Sequence, residues 1–301
     1  MKKILLAALL SAMLTAGPAR ADAPVPPVPV VASFSILGDM VQNIGGDAVT
    51  VKTLVGPDSD THTYQPTPDD AKTITNAKIV FVNGLGFEGW MGRLIDSSGY
   101  KGPVVTTSAG VKPRSMVDDG KKITDPHAWQ NLANGRIYVW NIATVLERKI
   151  PLHADEIRAR AAKYDAALAA MDKWVRGEFS AVPTAQRKII TSHDAFGYFG
   201  AAYGVKVLAP VGYSTEAEPS AADVAKLGDQ IKAEGVKTVF LENMTNPRLI
   251  EQLGKDSGAA VGGTLYSDAL SGAGAAAPTY LAMFKNNVPK MKTAMEQIKA
   301  Q

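Results

Sequence analysis

The chain has 301 residues, no cysteine, and 32 Lys and Arg against 29 Asp and Glu. Without cysteine there are no disulfides and no thiolate metal sites. A near-balanced charge with no basic block argues against nucleic acid or an anionic membrane surface as the main partner.

Taken in chain order, the sequence opens on Lys2 and Lys3, continues with an apolar run over residues 4–15, and closes that segment with Ala19, Arg20 and Ala21. This is the pattern of a secretory signal peptide, with cleavage expected after Ala21. The apolar run is shorter than the roughly 20 residues a membrane-spanning helix needs. No later segment reaches that length free of charge and glycine, so the mature protein is expected to be soluble. Removal of residues 1–21 takes away Lys2, Lys3 and Arg20 and no acid, which leaves basic and acidic residues equal at 29. An exported chain with no cysteine for a lipid anchor is expected in a periplasm. About 280 remaining residues suffice for two lobes, each with its own core.

Residues 22–28 are rich in Ala and Pro and suit a leader before the first strand. Short β-branched runs at 28–34, 49–55, 79–83 and 104–106 then alternate with helical patterns at 36–44, 69–76 and 88–97. The same alternation returns in the second half, with strands at 188–191, 205–209, 236–241 and 259–265 and helices at 195–203, 221–234 and 247–256. Strands and helices alternating at this spacing predict an α/β fold in which parallel sheets are flanked by helices. We therefore expect an N-terminal α/β lobe over residues 22–150 and a C-terminal α/β lobe over 183–301.

Between them, residues 153–179 contain almost no Gly or Pro and are dense in Ala, Arg, Lys, Glu and Leu, with Pro151 before and Pro183 after. They predict one long rigid connecting helix within 151–182. About 25 helical residues would be near 40 Å long, a rod that limits hinge bending. The Gly and Ala run over 271–278 predicts a loop before a final helix at 279–299.

Of the four histidines, three fall in polar segments placed after predicted strands: Asp60-Thr61-His62, Asp125-Pro126-His127 and Ser192-His193-Asp194. Open α/β sheets bind ligands beyond the carboxyl ends of their strands, so loops of both lobes can face one cleft. The three lie too far apart for any local motif of the zinc-finger or His-Glu-x-x-His kind. Convergence must come from the fold. A fourth ligand from the second lobe would balance the set, and Asp268, after the strand ending near residue 265, is the best-placed carboxylate. Asp60, Asp194, Glu216, Glu218 and Glu242 are its competitors. Glu242 ends a strand and is a candidate to orient a ligand or join the lobes, while Glu216 and Glu218 suit a loop before a helix cap at Ser220. His153, at the start of the long helix, reads as structural. Three neutral imidazoles and one carboxylate form a four-coordinate set that Zn2+ accepts. Trp90, Trp129, Phe87 and Phe196 are expected to pack a dry shell around it.

The segments 60–70, Asn83-Gly84-Leu85-Gly86-Phe87-Glu88-Gly89-Trp90, Asp125-Pro126-His127-Ala128-Trp129, Ser192-His193-Asp194-Ala195-Phe196-Gly197-Tyr198-Phe199 and Glu218-Pro219-Ser220 together resemble the metal-binding receptors of zinc and manganese ABC importers. The resemblance runs over essentially the whole mature chain. It implies that His62, His127, His193 and Asp268 bind one divalent ion in the interlobe cleft, and that the protein is a non-enzymatic receptor delivering metal to an ABC permease and its ATPase. A monomer is expected. Members that carry manganese or iron often have Glu where His193 stands, so His193 favours zinc over manganese. Residues 63–126 contain no His, unlike the His-rich loop of many zinc receptors. Loading is then direct or from a separate metal-donor protein, and Mn2+ stays an alternative. A rival from another class is a zinc-dependent hydrolase with three protein ligands and an activated water, although no nucleophile elbow or His-Glu-x-x-His helix is present.

Overall fold

The run Val28–Phe34 (β1) is β-branched and apolar, and from Val30 onward every residue is buried. Burial on both faces is what a central parallel strand requires. In the computed structural model, which describes residues 26–118, 121–216 and 220–298, β1 pairs in parallel with Val49–Val55 (β2) on one side and Ile79–Val82 (β3) on the other. Val104–Thr106 (β4) completes a parallel sheet of order β2-β1-β3-β4. The expected signal peptide, its cleavage point and Glu218 lie outside the described residues.

Ser35–Gly45 (α1), Pro68–Asn76 (α2) and Met91–Ser98 (α3) connect these strands. The start of α2 is set by a capping box: the Thr67 side chain accepts from the Asp70 N–H, the Asp70 carboxylate accepts from the Thr67 N–H, and Pro68 takes the first helical position. The third helix begins at Met91 rather than at residue 88. Gly84, Leu85 and Gly86 all hold positive φ, and the Glu88 carboxylate folds back to accept the N–H groups of Asn83 and Gly84.

Two elements escaped the sequence reading. An antiparallel hairpin, Ser115–Asp118 (β5) with Lys121–Thr124 (β6), follows the sheet, so His127 is reached through a hairpin rather than from a parallel strand. Then comes Leu132–Lys149 (α4), 18 residues long and capped by the Asn131 side chain on the Ala133 N–H. Its buried residues include Leu132, Gly135, Tyr138, Val139, Ile142, Ala143 and Leu146.

The long helix is Ala154–Ser180 (α5), 27 residues. Ile157, Ala161, Tyr164, Leu168, Met171, Val175 and Phe179 are buried at the three- and four-residue steps of one helical stripe. This stripe packs along α4 and α1 and, further on, against Gly197–Tyr203 (α6) and Tyr280–Glu296 (α9). The helix is therefore part of a hydrophobic core shared by both halves, not a bare rod.

The second half holds two parallel pairs, Lys188–Ile190 (β7) with Lys206–Leu208 (β8), and Thr238–Glu242 (β9) with Ala260–Leu265 (β10). Ala221–Ala233 (α7) and Arg248–Ser257 (α8) pack together beside the second pair. In β10 the register slips between Val261 and Thr264, and Gly263 there has φ +94°, a conformation L side chains rarely adopt. Beyond β10 the chain returns to the first half. The Leu270 N–H donates to Ser35 Oγ at 2.9 Å, the Leu270 carbonyl accepts from Asp58 at 2.9 Å, and the Tyr280 N–H donates to Asp39 at 2.9 Å. The halves are thus joined by this return as well as by α5. No helix among the described residues is long and apolar enough to cross a membrane.

Candidate metal centre

His62 stands in the loop after β2. That loop is tied down on both flanks, by Trp90 Nε1–H donating to the Thr61 carbonyl at 2.9 Å and by the Tyr64 hydroxyl donating to Asp70 at 2.9 Å. His127 follows β6, and the Asn83 side chain donates to the carbonyl of the preceding Pro126 at 2.9 Å. His193 follows β7 and forms an isolated parallel bridge with Val211. Asp268 lies in the segment after β10, where Trp129 and Gln130 both donate to the Ser267 carbonyl, at 2.9 and 2.8 Å.

These four side chains, all buried, meet. One ligating atom from each lies within 4.8 Å of every other. Asp268 Oδ2 is 3.0 Å from His193 Nε2, 3.2 Å from His62 Nε2 and 3.7 Å from His127 Nε2. His62 Nε2 and His127 Nε2 stand 3.4 Å apart. Three nitrogens and an oxygen aimed at one point are the donor set a divalent transition metal takes. Asp268 Oδ1 is also buried with no hydrogen-bond partner, an expense that a cation would offset.

A second layer aims the rings. Asp125 Oδ1 lies 2.9 Å from His127 Nδ1, and the other oxygen of Asp125 is held by Arg114 at 2.9 Å. Glu242 Oε2 lies 2.8 Å from His193 Nδ1, and Glu242 Oε1 accepts the backbone N–H groups of Ser192 and His193 at 2.8 and 2.9 Å. The Ser267 hydroxyl donates to the same Glu242 carboxylate. A carboxylate behind a ring fixes its tautomer and strengthens the opposite nitrogen as a donor. Phe87 and Trp129 pack the dry side, with ring centroids 4.9 Å from His62 and 5.3 Å from His127 respectively.

The charges are strongly interdependent. Burial pulls His62 below its ordinary pKa, against the pull of Asp268. Burial acts downward on His127 too, but the Asp268 charge and the hydrogen bond to Asp125 outweigh it and raise the group to about 9. For His193 burial is likewise overcome, here by the charges of Glu242 and Asp268, and the imidazole lies well above its ordinary value. Burial would raise Asp268, yet the charges of His193 and His127 hold it well below the usual carboxylate range.

A model of the family described as the zinc-uptake complex component A, periplasmic, matches residues 30–294. The chain belongs to this family. A manganese-binding lipoprotein, MntA, of Bacillus subtilis (strain 168) is 33% identical over 273 residues, covering 89% of each chain. The iron-binding protein YfeA of Yersinia pestis is 32% identical over 262 residues, 86% of this chain and 83% of that one. Among solved structures, the periplasmic zinc-binding protein TroA of Treponema pallidum superposes with a TM-score of 0.85 at 29% identity, over 89% of this chain and 99% of that one.

The competitors for the fourth position do other things. Asp60 accepts from the His62 N–H at 2.9 Å and from the Thr215 hydroxyl. Burial raises the carboxyl of Asp194, helped by the charge of Asp125, and Asp194 is outside the ligand cluster. Glu216 is exposed. His153 pairs locally, with Glu156 at 3.1 Å. The sequence reading gave Asp125 no role, although a carboxylate two residues before a candidate ligand was the available signal.

Proposed function

We propose that this protein captures one divalent transition-metal ion, most readily zinc, through His62, His127, His193 and Asp268, and passes it to the permease and ATPase of an ABC importer. The observation that carries the reading is the convergence of these four donors from both halves of the chain on one buried point. Three imidazoles with one carboxylate suit zinc, and the Irving–Williams order makes such a set bind zinc more tightly than manganese. A donor set closed by Asp268 supports capture over catalysis, because a zinc hydrolase keeps one position open for its water. Family membership supports the reading of an extracytoplasmic receptor; on this reading it works as a monomer in the periplasm, loaded directly or from a donor protein.

Manganese is the second reading. The unpartnered Asp268 Oδ1 offers a further oxygen for a higher coordination number, and relatives are named for manganese and iron. The deciding experiment is metal analysis of protein purified without an affinity tag, followed by zinc and manganese competition on the wild type, His193→Ala and Asp268→Ala. The expected result is one bound ion, zinc preferred, and a large loss of affinity in both variants. Full affinity in His193→Ala would refute the site.

A further inference from the structure

Residues 211–216 follow β8 and lie across the cleft against the His62 loop. Val211 pairs with His193, and the Asp194 N–H is shared between the carbonyls of Val211 and Gly212 at 3.2 and 3.1 Å. One end of this strap is therefore anchored beside a ligand of the second half. Further along, the Tyr213 ring stands edge-on to the His62 ring at 6.1 Å. Thr215 then donates its hydroxyl to Asp60 Oδ2. The other oxygen of that carboxylate accepts the N–H of His62 itself, at 2.9 Å. A single half-buried carboxylate thus ties the backbone of one ligand to a strap anchored at another.

Two cavities adjoin the strap. On one side is a cavity of about 450 Å3 lined by Asp60, Ser192, His193 and Thr215. On the other is one of about 390 Å3 lined by His62, Tyr64, Trp90 and Glu216. Thr215 and Glu216, neighbours on the strap, each face a different cavity, and each cavity reaches a different candidate ligand.

We propose that Asp60 and Thr215 are positioning residues that hold the strap 211–216 closed over the bound ion and so set the rate at which it leaves. This rests on the metal-receptor reading above. Neither residue contributes a ligand atom, so their loss acts on escape rather than on coordination. A hydrogen bond to a charged acceptor is strong enough for its removal to speed release about tenfold.

The test is stopped-flow release of zinc from the loaded full chain into excess chromophoric chelator, with the denaturation midpoint of the metal-free protein measured alongside. Thr215→Val should release zinc about tenfold faster, Thr215→Ser should restore the wild-type rate, and Asp60→Ala combined with Thr215→Val should be no faster than Asp60→Ala alone, because both changes break one bond. Loaded Thr215→Val that releases zinc at the wild-type rate overturns the strap proposal, whether or not its midpoint falls. A wild-type chain that takes up neither zinc nor manganese sinks the metal reading itself, and the strap with it.

Discussion

Metal uptake by this centre should expel protons at neutral pH. The sequence alone suggests that affinity falls only toward and below about pH 6.5, where free histidine protonates. The structure moves that limit upward, because His127 is raised to about 9 and His193 lies well above its ordinary value. A coordinating imidazole must be neutral, so each protonated ring has to lose its proton before zinc binds. At pH 7 a group titrating near 9 is largely protonated, and each displaced proton makes apparent affinity rise roughly tenfold per pH unit. His62, pulled downward by burial, adds no such proton at pH 7. Between pH 6 and 8 affinity should therefore climb by roughly a hundredfold per proton displaced, and the part due to His127 should level off above about pH 9. The metal-free protein should show the opposite sign. A histidine raised on folding contributes stability that is complete below about 6.5 and is lost as pH rises through about 9. Calorimetric titration with zinc in buffers of different ionisation enthalpy counts the protons directly. Zero protons released at pH 7, with affinity flat from pH 7 to 8, would refute the reasoning.

Two further outcomes test the layers around the centre. Glu242→Gln keeps the shape but removes the charge behind His193, and zinc affinity should drop about 10- to 100-fold, read by competition against a calibrated chelator; unchanged affinity would show that Glu242 only braces the backbone of Ser192 and His193. Leu168→Ala in the buried stripe of α5, at 0% exposure, should cost about 2–5 kcal/mol in urea denaturation of the metal-free protein. A cost near zero would mean that α5 does not belong to the shared core.

The alternation of strands and helices was legible because it rests on local chemistry. The expected spans 28–34 and 49–55 coincide with β1 and β2, and the capping box at Thr67 and Asp70 marks α2 within one residue of its expected start. What went unread was also local in origin. The spacing of Leu132, Tyr138, Val139, Ile142 and Leu146 after the Asn131 cap is an amphipathic signal that was present but not used, and the Asp-Gly pair at 119–120 in the sequence is a hairpin signal of the same kind.

The sequence by itself determined which segments are strands and helices, and which side chains are chemically able to bind metal, since propensity, capping and donor type reside in a few adjacent residues. Only the tertiary structure decided that Asp268 rather than Asp60, Asp194, Glu216 or Glu242 joins the histidines, that Asp125 and Glu242 stand behind two of the rings, and that one face of α5 is buried along the helix. Those outcomes depend on distances between groups far apart in the chain, and it is packing of the two halves against a common core that sets them.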